Sequence, residues 1–161
     1  MQCPPEFRRA LAAHTTLNLA YVDRAGAPQV CAVFYSLTES GTLVFLSSRS
    51  TRHGRALTAG PLDTRVAFTA QADDQSWAAI TGVQGRGRCG PVEGAALQSA
   101  RAAYARRFPF VATAEGPARA LATSHLWEVR PTWIRLIDNT RGFGDKREWG
   151  TGETEGDRGS W

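Results

Sequence analysis

Long apolar runs and paired cysteines are absent from this 161-residue chain, and each absence argues against one class of protein. No apolar run approaches the roughly 18 residues that a membrane-spanning helix needs, so no membrane partner is expected. The amino-terminal "MQCPPEFRRALAAHTT" lacks the apolar core of a signal peptide, and a cytoplasmic location is therefore expected. Cys3, Cys31 and Cys89 share no paired spacing, which argues against a disulfide framework or a zinc site.

Metal ligands at useful spacing are also lacking, because the three histidines lie far apart in sequence without a second ligand nearby. We therefore predict no metal site. The net charge is +4, and Lys146 is the only lysine, so 18 of the 19 basic residues are arginines. This excess favours an anionic partner. Arginines and aromatics do not alternate as in a base-stacking groove, so no nucleic-acid partner is expected.

The composition is that of an ordinary globular protein, with 42% hydrophobic and 21% charged residues. We predict one domain over residues 1–149, because this length suits a single core. The remaining residues, 150–161, include "GTGETEGDRGSW" and hold too few apolar groups to fold. They are predicted to form a flexible tail.

Short β-rich segments separated by tight turns dominate the chain. "RAGAP" and "ESG" are turn signals between the first three segments. Helical spacing is present near Pro5–His14 and in the alanine-rich residues 93–108, where Pro109 blocks continuation. The glycines of "WAAITGVQGRGRCGPV" predict bends or bulges in a long strand. The predicted strands are residues 15–23, 29–37, 42–48, 64–70, 77–92 and one or two strands in 125–138. This pattern favours an antiparallel barrel.

The predicted strand at 29–37 is apolar on both faces. One face carries Val30, Ala32 and Phe34, and the other carries Cys31, Val33 and Tyr35. A barrel buries only one face of each strand, so the second face needs a helix, a second subunit or a flat ligand as a cover. A dimer with a ligand at its seam would provide this.

The stretch "SSRSTRHGRAL", residues 47–57, concentrates hydroxyl groups and arginines directly after a strand. Ser50 or Thr51 can cap a short helix that ends at Gly60-Pro61. A helix amino terminus beside an arginine is a suitable phosphate site. Taken alone, the stretch is also typical of a solvated loop before a capped helix.

The order of these motifs resembles the FMN-binding split-barrel superfamily of pyridoxamine 5'-phosphate oxidase. The segments that carry the resemblance are "LAYVDRAGAPQVCAVFYSL", "LVFLSSRSTRHGRAL" and "GPLDTRVAFTA". The later runs "ITGVQGRGR", "AYARRFPF" and "LWEVRPTWIRLIDNTRGFGDKREW" are similar to the small, uncharacterised bacterial YhbP-like family within it. The resemblance implies a mainly β fold with peripheral helices, a six-stranded antiparallel split β-barrel, and a homodimer with FMN between its subunits.

The resemblance also implies site residues. It places the FMN phosphate against Ser47, Ser48 and Arg52, with Thr51 and His53 nearby at the helix start. Arg52 stands where many relatives have lysine, and it keeps the charge. The isoalloxazine would run along Cys31, Ala32, Val33 and Phe34, and Gln84 would approach it from the other subunit.

The segment "IDNTRGFGDKREW" and the tryptophans have two interpretations each. The segment either forms a turn-rich end after the last strand or lines the cleft with Asp138, Asn139, Lys146 and Trp149. We predict Trp77, Trp127 and Trp133 to be core or dimer-interface residues. Phe108 and Phe110 are predicted to dock the end of the long helix.

The function implied is that of a flavin-dependent oxidoreductase of unknown substrate. No carboxylate or histidine has a neighbour that would tune it as a general base, so no catalytic residue is assigned. Vitamin B6 oxidation is not expected, because that enzyme's substrate-phosphate residues are not matched. Three alternatives stay open: a non-catalytic flavin-binding protein, an F420-binding barrel, or a haem protein with an axial ligand from His14, His53 or His125.

Overall fold

The computed structural model describes residues 3–59, 64–112 and 124–150, in which seven strands and three α-helices form. The strands are β1 (Thr16–Val22), β2 (Pro28–Leu37), β3 (Leu43–Ser47), β4 (Thr64–Gln71), β5 (Thr81–Pro91), β6 (His125–Asp138) and β7 (Lys146–Gly150). The helices are α1 (Pro5–Ala12), α2 (Arg52–Ala59) and α3 (Ala96–Arg107). Every predicted strand and helix is therefore present, and residues 77–79 form a short 3₁₀ turn instead of the start of β5.

Six of the strands close into an antiparallel barrel. Their order is β3-β2-β1-β4-β5-β6, and β3 closes the sheet by pairing with β6 from Leu43↔Val129 to Ser47↔His125. The predicted six-stranded split barrel with peripheral helices is thus confirmed.

The seventh strand corrects the expectation that the chain ends in a turn-rich segment. Gly144, at φ +79°, belongs to the turn that reverses the chain after β6. β7 then pairs with β6 from Ile137↔Lys146 to Trp133↔Gly150. β6 is one long strand of 14 residues, and along the same edge its first half pairs with β3 and its second half pairs with β7. The predicted tail lies outside the described residues apart from Gly150.

The barrel interior is filled by alternate residues of the strands, and α1 packs Phe7 and Leu11 against this core. The Tyr35 hydroxyl donates to the Leu11 carbonyl at 2.5 Å, which joins the helix to the barrel. Trp127 is fully buried and stacks on Phe45 with ring centroids 6.4 Å apart. Its indole N–H donates to the Ser47 carbonyl at 3.0 Å, so the core directly holds the end of β3.

The predicted irregularity of the glycine-rich strand is confirmed. A β-carbon on Gly85 would lie 2.1 Å from Cζ of Phe68, so only glycine lets that ring pack inside the barrel. The register of β5 and β6 shifts after Arg86, which pairs with Trp133, while Gly87 pairs with Pro131. Thr132 is the extra residue of this bulge.

A second, smaller core lies between α3 and the outer side of the barrel. It contains Val44, Val92, Ala100, Tyr104, Phe108 and Leu126. Phe108 is buried and docks the end of α3 as predicted, whereas Phe110 is exposed. Among the described helices, none has the length and apolarity needed to cross a membrane.

Candidate functional site

The first half of β2 has hydrogen-bonding groups at an open edge. Tyr35 N–H donates to the Thr15 carbonyl at 3.0 Å, so the odd-numbered residues of β2 form the hydrogen-bonded pairs with the β1 side. The backbone groups of Val30 and Ala32 therefore point away from β1. On that side β3 pairs only with Tyr35–Leu37. Within the described strands, the edge beside Val30 and Ala32 has no paired neighbour.

The outward face of this half of β2 is apolar and uncovered. Val30 is 67% exposed and Phe34 is 55% exposed, and Val22 of the neighbouring strand is 56% exposed. Phe34 meets the edge of Phe108 at 5.6 Å between ring centroids. The prediction that the barrel leaves one face of this strand without a cover is confirmed for the described chain.

The loop between β3 and α2 is built around a helix cap. Gly54 N–H donates to Oγ1 of Thr51 at 3.0 Å, and the Thr51 hydroxyl donates to the Ser48 carbonyl at 2.8 Å. Thr51 is therefore the cap. A β-carbon on Gly54 would lie 2.3 Å from the Ser48 oxygen, so glycine lets the loop lie directly on the first helical turn. Ser50 N–H also donates to Oγ of Ser48 at 3.1 Å.

His53 joins this loop to the barrel. Its Nε2 lies 2.6 Å from Oγ of Ser47, which is 3.2 Å from Oγ1 of Thr51. The ring also meets Tyr21 at 6.5 Å between centroids, in an edge arrangement. Burial lowers the pKa of His53 from its ordinary value, which favours the neutral imidazole. Burial of the Tyr21 side chain, followed by the charge on Cys31, raises the pKa of Tyr21.

A cavity of about 280 Å³ lies between α2 and the β1–β2 turn. Arg52 and Arg55 contribute from α2, and Asp23 and Arg24 from the turn. The Asp23 carboxylate accepts from Ala25 N–H at 2.9 Å and from Ala27 N–H at 3.0 Å, and the latter bond is the main reason that its pKa is lowered. Because three arginines face one carboxylate here, the cavity is positively charged.

The predicted site residues fall into three groups. Ser47, Ser48, Thr51, Arg52 and His53 lie together at the start of α2. Ser47 is buried and bonded within the group, whereas Arg52 is exposed and makes no ion pair or hydrogen bond among the described residues.

The β2 residues form the second group. The side chain of Val33 points into the core with that of Cys31, which is half-buried against it, while Ala32 and Phe34 point outward. A flat ligand on this strand would therefore meet two outward side chains and the open backbone edge, and would not meet all four side chains.

Gln84 stands apart from both groups. It lies on the outward row Ala32–Asn18–Thr69–Gln84, which crosses β2, β1, β4 and β5. Three strand spacings separate Gln84 from Ala32, or about 14 Å. This distance agrees with the expectation that Gln84 would act from another subunit, which stays a prediction.

Sequence reasoning missed Asp23, Arg24 and Arg55 as walls of the cavity. The signal was present, because a tight hairpin turn places "DRA" at one end of the barrel, where the helix after β3 also begins.

Asp138 and Asn139, which were candidates for lining the cleft, stabilise the turn before β7. Asp138 accepts from Thr140 N–H at 3.2 Å, and Asn139 accepts from Gly144 N–H at 3.0 Å. Trp149 packs near Phe7, with ring centroids 6.5 Å apart.

The lowered pKa of His53 predicts a pH dependence of stability. Between the ordinary pKa of 6.5 and the lower folded pKa, the unfolded chain binds more protons than the folded chain. The free energy of unfolding should therefore fall as the pH drops below about 6.5. Urea unfolding at pH 7.5 and 5.5 should show this loss, and His53→Gln should reduce it.

His14→Gln is the matched control for that experiment. Burial, followed by the charge on Arg107, also lowers the pKa of His14, so both variants should reduce the loss and their effects should add. An unchanged pH slope in His53→Gln would contradict the assignment of a buried neutral imidazole.

Known proteins are similar to this chain in sequence and in fold. No family model matches the chain. It is 36% identical over 121 residues to the UPF0306 protein YhbP of Escherichia coli O157:H7, across 74% of this chain and 75% of that protein. It is 32% identical over 127 residues to a UPF0306 protein of Yersinia pseudotuberculosis, across 78% of this chain and 79% of the relative.

Among solved structures, a haem-binding protein from Mycobacterium smegmatis superposes with a TM-score of 0.71 at 23% identity. The match covers 93% of this chain, which spans only 60% of that protein's length. An F420 reductase matches with a TM-score of 0.60 at 20% identity, over 82% of this chain and 98% of the other. An FAD-binding protein from Mycobacterium smegmatis matches with a TM-score of 0.60 at 19% identity, over 93% and 98%.

The barrel closure and these superpositions define a protein with the split-barrel fold. At the level of sequence, the chain belongs to the UPF0306 family, as the resemblance to YhbP-like proteins predicts.

Proposed function

We propose that the protein is an FMN-dependent oxidoreductase whose homodimer holds FMN between its subunits. The observation that carries the proposal is the arrangement around β2. An open backbone edge with exposed apolar side chains lies beside a capped helix that presents an arginine. The split-barrel neighbours include a haem-binding protein, an FAD-binding protein and an F420 reductase, and these names support a planar cofactor of this general kind.

The phosphate of FMN fits the start of α2. The helix amino terminus has N–H groups without partners inside the helix, and its dipole favours an anion. Arg52 adds a guanidinium that can form two parallel hydrogen bonds to phosphate. Ser48 supplies a further hydroxyl, while Ser47 and His53 hold the loop in place by bonding to each other.

The isoalloxazine fits the open edge of β2. Its polar edge needs hydrogen-bond donors and acceptors, which the backbone groups of Val30 and Ala32 provide. Its apolar surface needs a flat cover, which the outward side chains near Phe34 provide. Since no side chain is required for the backbone contacts, this half of the site tolerates changes of sequence.

A second subunit completes the site in this proposal. Val22, Val30 and Phe34 form an exposed apolar surface that a symmetric partner can cover. Gln84 lies at the far side of the same outward face, so a partner could bring its own Gln84 to the ring. Bound FMN supplies hydride transfer, while the chain positions the ring and excludes water from it.

The test is to purify the protein, record its visible spectrum, and titrate the apoprotein with FMN. Arg52→Ala should weaken FMN binding by about 10- to 100-fold, because a charge-assisted hydrogen bond is lost. Arg106→Ala, on an exposed position of α3, is the matched control and should bind as the wild type does. A colourless protein that does not take up FMN, or full affinity in Arg52→Ala, would refute the proposal. Bound haem or F420 in the spectrum would also do so.

A further inference from the structure

A second cavity, of about 500 Å³, lies between α3 and the outer side of the barrel. Its walls include Leu46 of β3, Leu126 of β6, Val92 after β5 and Leu97 of α3. A volume of this size is typical of a small-molecule site, since such sites measure about 300–1,000 Å³. The cavity shares no lining residue with the one beside Arg52.

Tyr104 places an unpaired hydroxyl in this cavity. The side chain lines the cavity and is only 7% exposed. In the part of the chain that the structure describes, the Tyr104 hydroxyl has no hydrogen-bond partner, whereas the Tyr35 hydroxyl donates to the Leu11 carbonyl. Burial raises the pKa of Tyr104, so the group stays protonated at neutral pH and can donate.

The ionisable side chains with a basic group dominate the polar part of the cavity. Arg49, from the loop after β3, and Arg101 of α3 both line it, together with His125 at the start of β6. Its described lining includes no aspartate or glutamate. Neither Arg49 nor Arg101 makes an ion pair among the described residues. An apolar cavity lined by one unpaired hydroxyl donor and two arginines therefore matches a ligand that has an apolar body and one negative end.

We propose that this cavity binds a small amphipathic carboxylate, with the apolar body between α3 and the barrel and the carboxylate at the Tyr104 hydroxyl, Arg49 and Arg101. No residue that lines this cavity belongs to the proposed FMN site; the loop after β3 contributes Arg49 here and Ser48 there. Its ligand is a second molecule and is not part of the cofactor. The apolar body supplies most of the contact area, and the hydroxyl and arginines select the anion.

The experiment measures binding of octanoate and of 1-octanol by isothermal titration calorimetry. Octanoate should bind saturably with one molecule per chain, and at least about 10-fold more tightly than the alcohol, because the alcohol lacks the charge. Tyr104→Phe should weaken octanoate binding by about 2- to 10-fold, as expected when one hydrogen bond is lost. Arg101→Gln should weaken octanoate binding and leave octanol binding unchanged.

Two alanines of the same helix give the matched control. Ala105 lines the cavity, so Ala105→Trp should fill it and abolish binding of both compounds. Ala102 is exposed and does not line the cavity, so Ala102→Trp should bind as the wild type does. Absence of saturable octanoate binding, or wild-type binding by Ala105→Trp, would overturn the proposal. FMN affinity should be the same in both variants, so a failure of the carboxylate proposal can be distinguished from a failure of the FMN proposal.

Discussion

Phe34→Glu is expected to convert the proposed homodimer into a monomer and to remove FMN binding with it. Phe34 projects from the open half of β2, where 55% of its side chain is exposed in the single chain. In a twofold dimer each subunit would bury one new carboxylate without a partner. Each such burial costs several kcal/mol, so dimer affinity should fall by about 1,000-fold or more. Sedimentation equilibrium over a range of protein concentrations measures this change.

Phe143→Glu is the control, because Phe143 is also a highly exposed phenylalanine but lies in the turn before β7. This variant should remain a dimer and bind FMN. The fold of Phe34→Glu should survive, since the lost ring contact with Phe108 accounts for only about 0.5–1.5 kcal/mol. A dimeric Phe34→Glu protein, or a wild type that is monomeric at every concentration, would show that this face is not the dimer interface.

Trp127→Ala is expected to cause the largest loss of stability of any single substitution considered for this chain. The side chain is completely buried and stacks on Phe45. Removing so large a ring leaves a cavity and should lower the free energy of unfolding by about 3–5 kcal/mol. This is a large part of the roughly 5–15 kcal/mol that stabilises a typical domain. Urea unfolding followed by circular dichroism measures the change.

A more conservative pair of variants separates the packing of Trp127 from its hydrogen bond. Trp127→Phe keeps much of the ring but leaves the Ser47 carbonyl without its donor, which should cost about 1–3 kcal/mol. Trp133→Phe also removes an indole N–H, but its acceptor Glu148 is exposed and can bind water instead. Equal destabilisation by the two substitutions would contradict a specific role for the Trp127 bond in holding the end of β3.

Much of the fold could be predicted because local patterns agree with the final structure. The alternation in residues 29–37 predicted one buried face and one uncovered face, and Tyr35 and Phe34 occupy them as expected. Thr51 was one of two predicted caps for α2, and its hydroxyl makes both capping bonds. These features depend on neighbours in sequence, which a single chain displays directly.

The features that were missed depend on contacts between distant residues. β7 is only five residues long and pairs with β6 across a glycine turn, so its polar sequence resembled a loop. The cavity beside Tyr104 needs α3, β3, β5 and β6 together, and no local pattern identifies a hydroxyl without a partner. Likewise, the open edge of β2 appears only when β3 is seen to pair with Tyr35–Leu37 alone.

The open edge of β2 also bears on how newly made chains behave. An unpaired strand edge with apolar side chains is a template onto which any extended peptide can add as a further strand. Until the edge near Val30 and Ala32 is covered, two nascent chains can therefore pair there and aggregate. A ligand that occupies this edge would then act as a folding aid as well as a reactant. Yield of soluble protein should follow the supply of that ligand during synthesis.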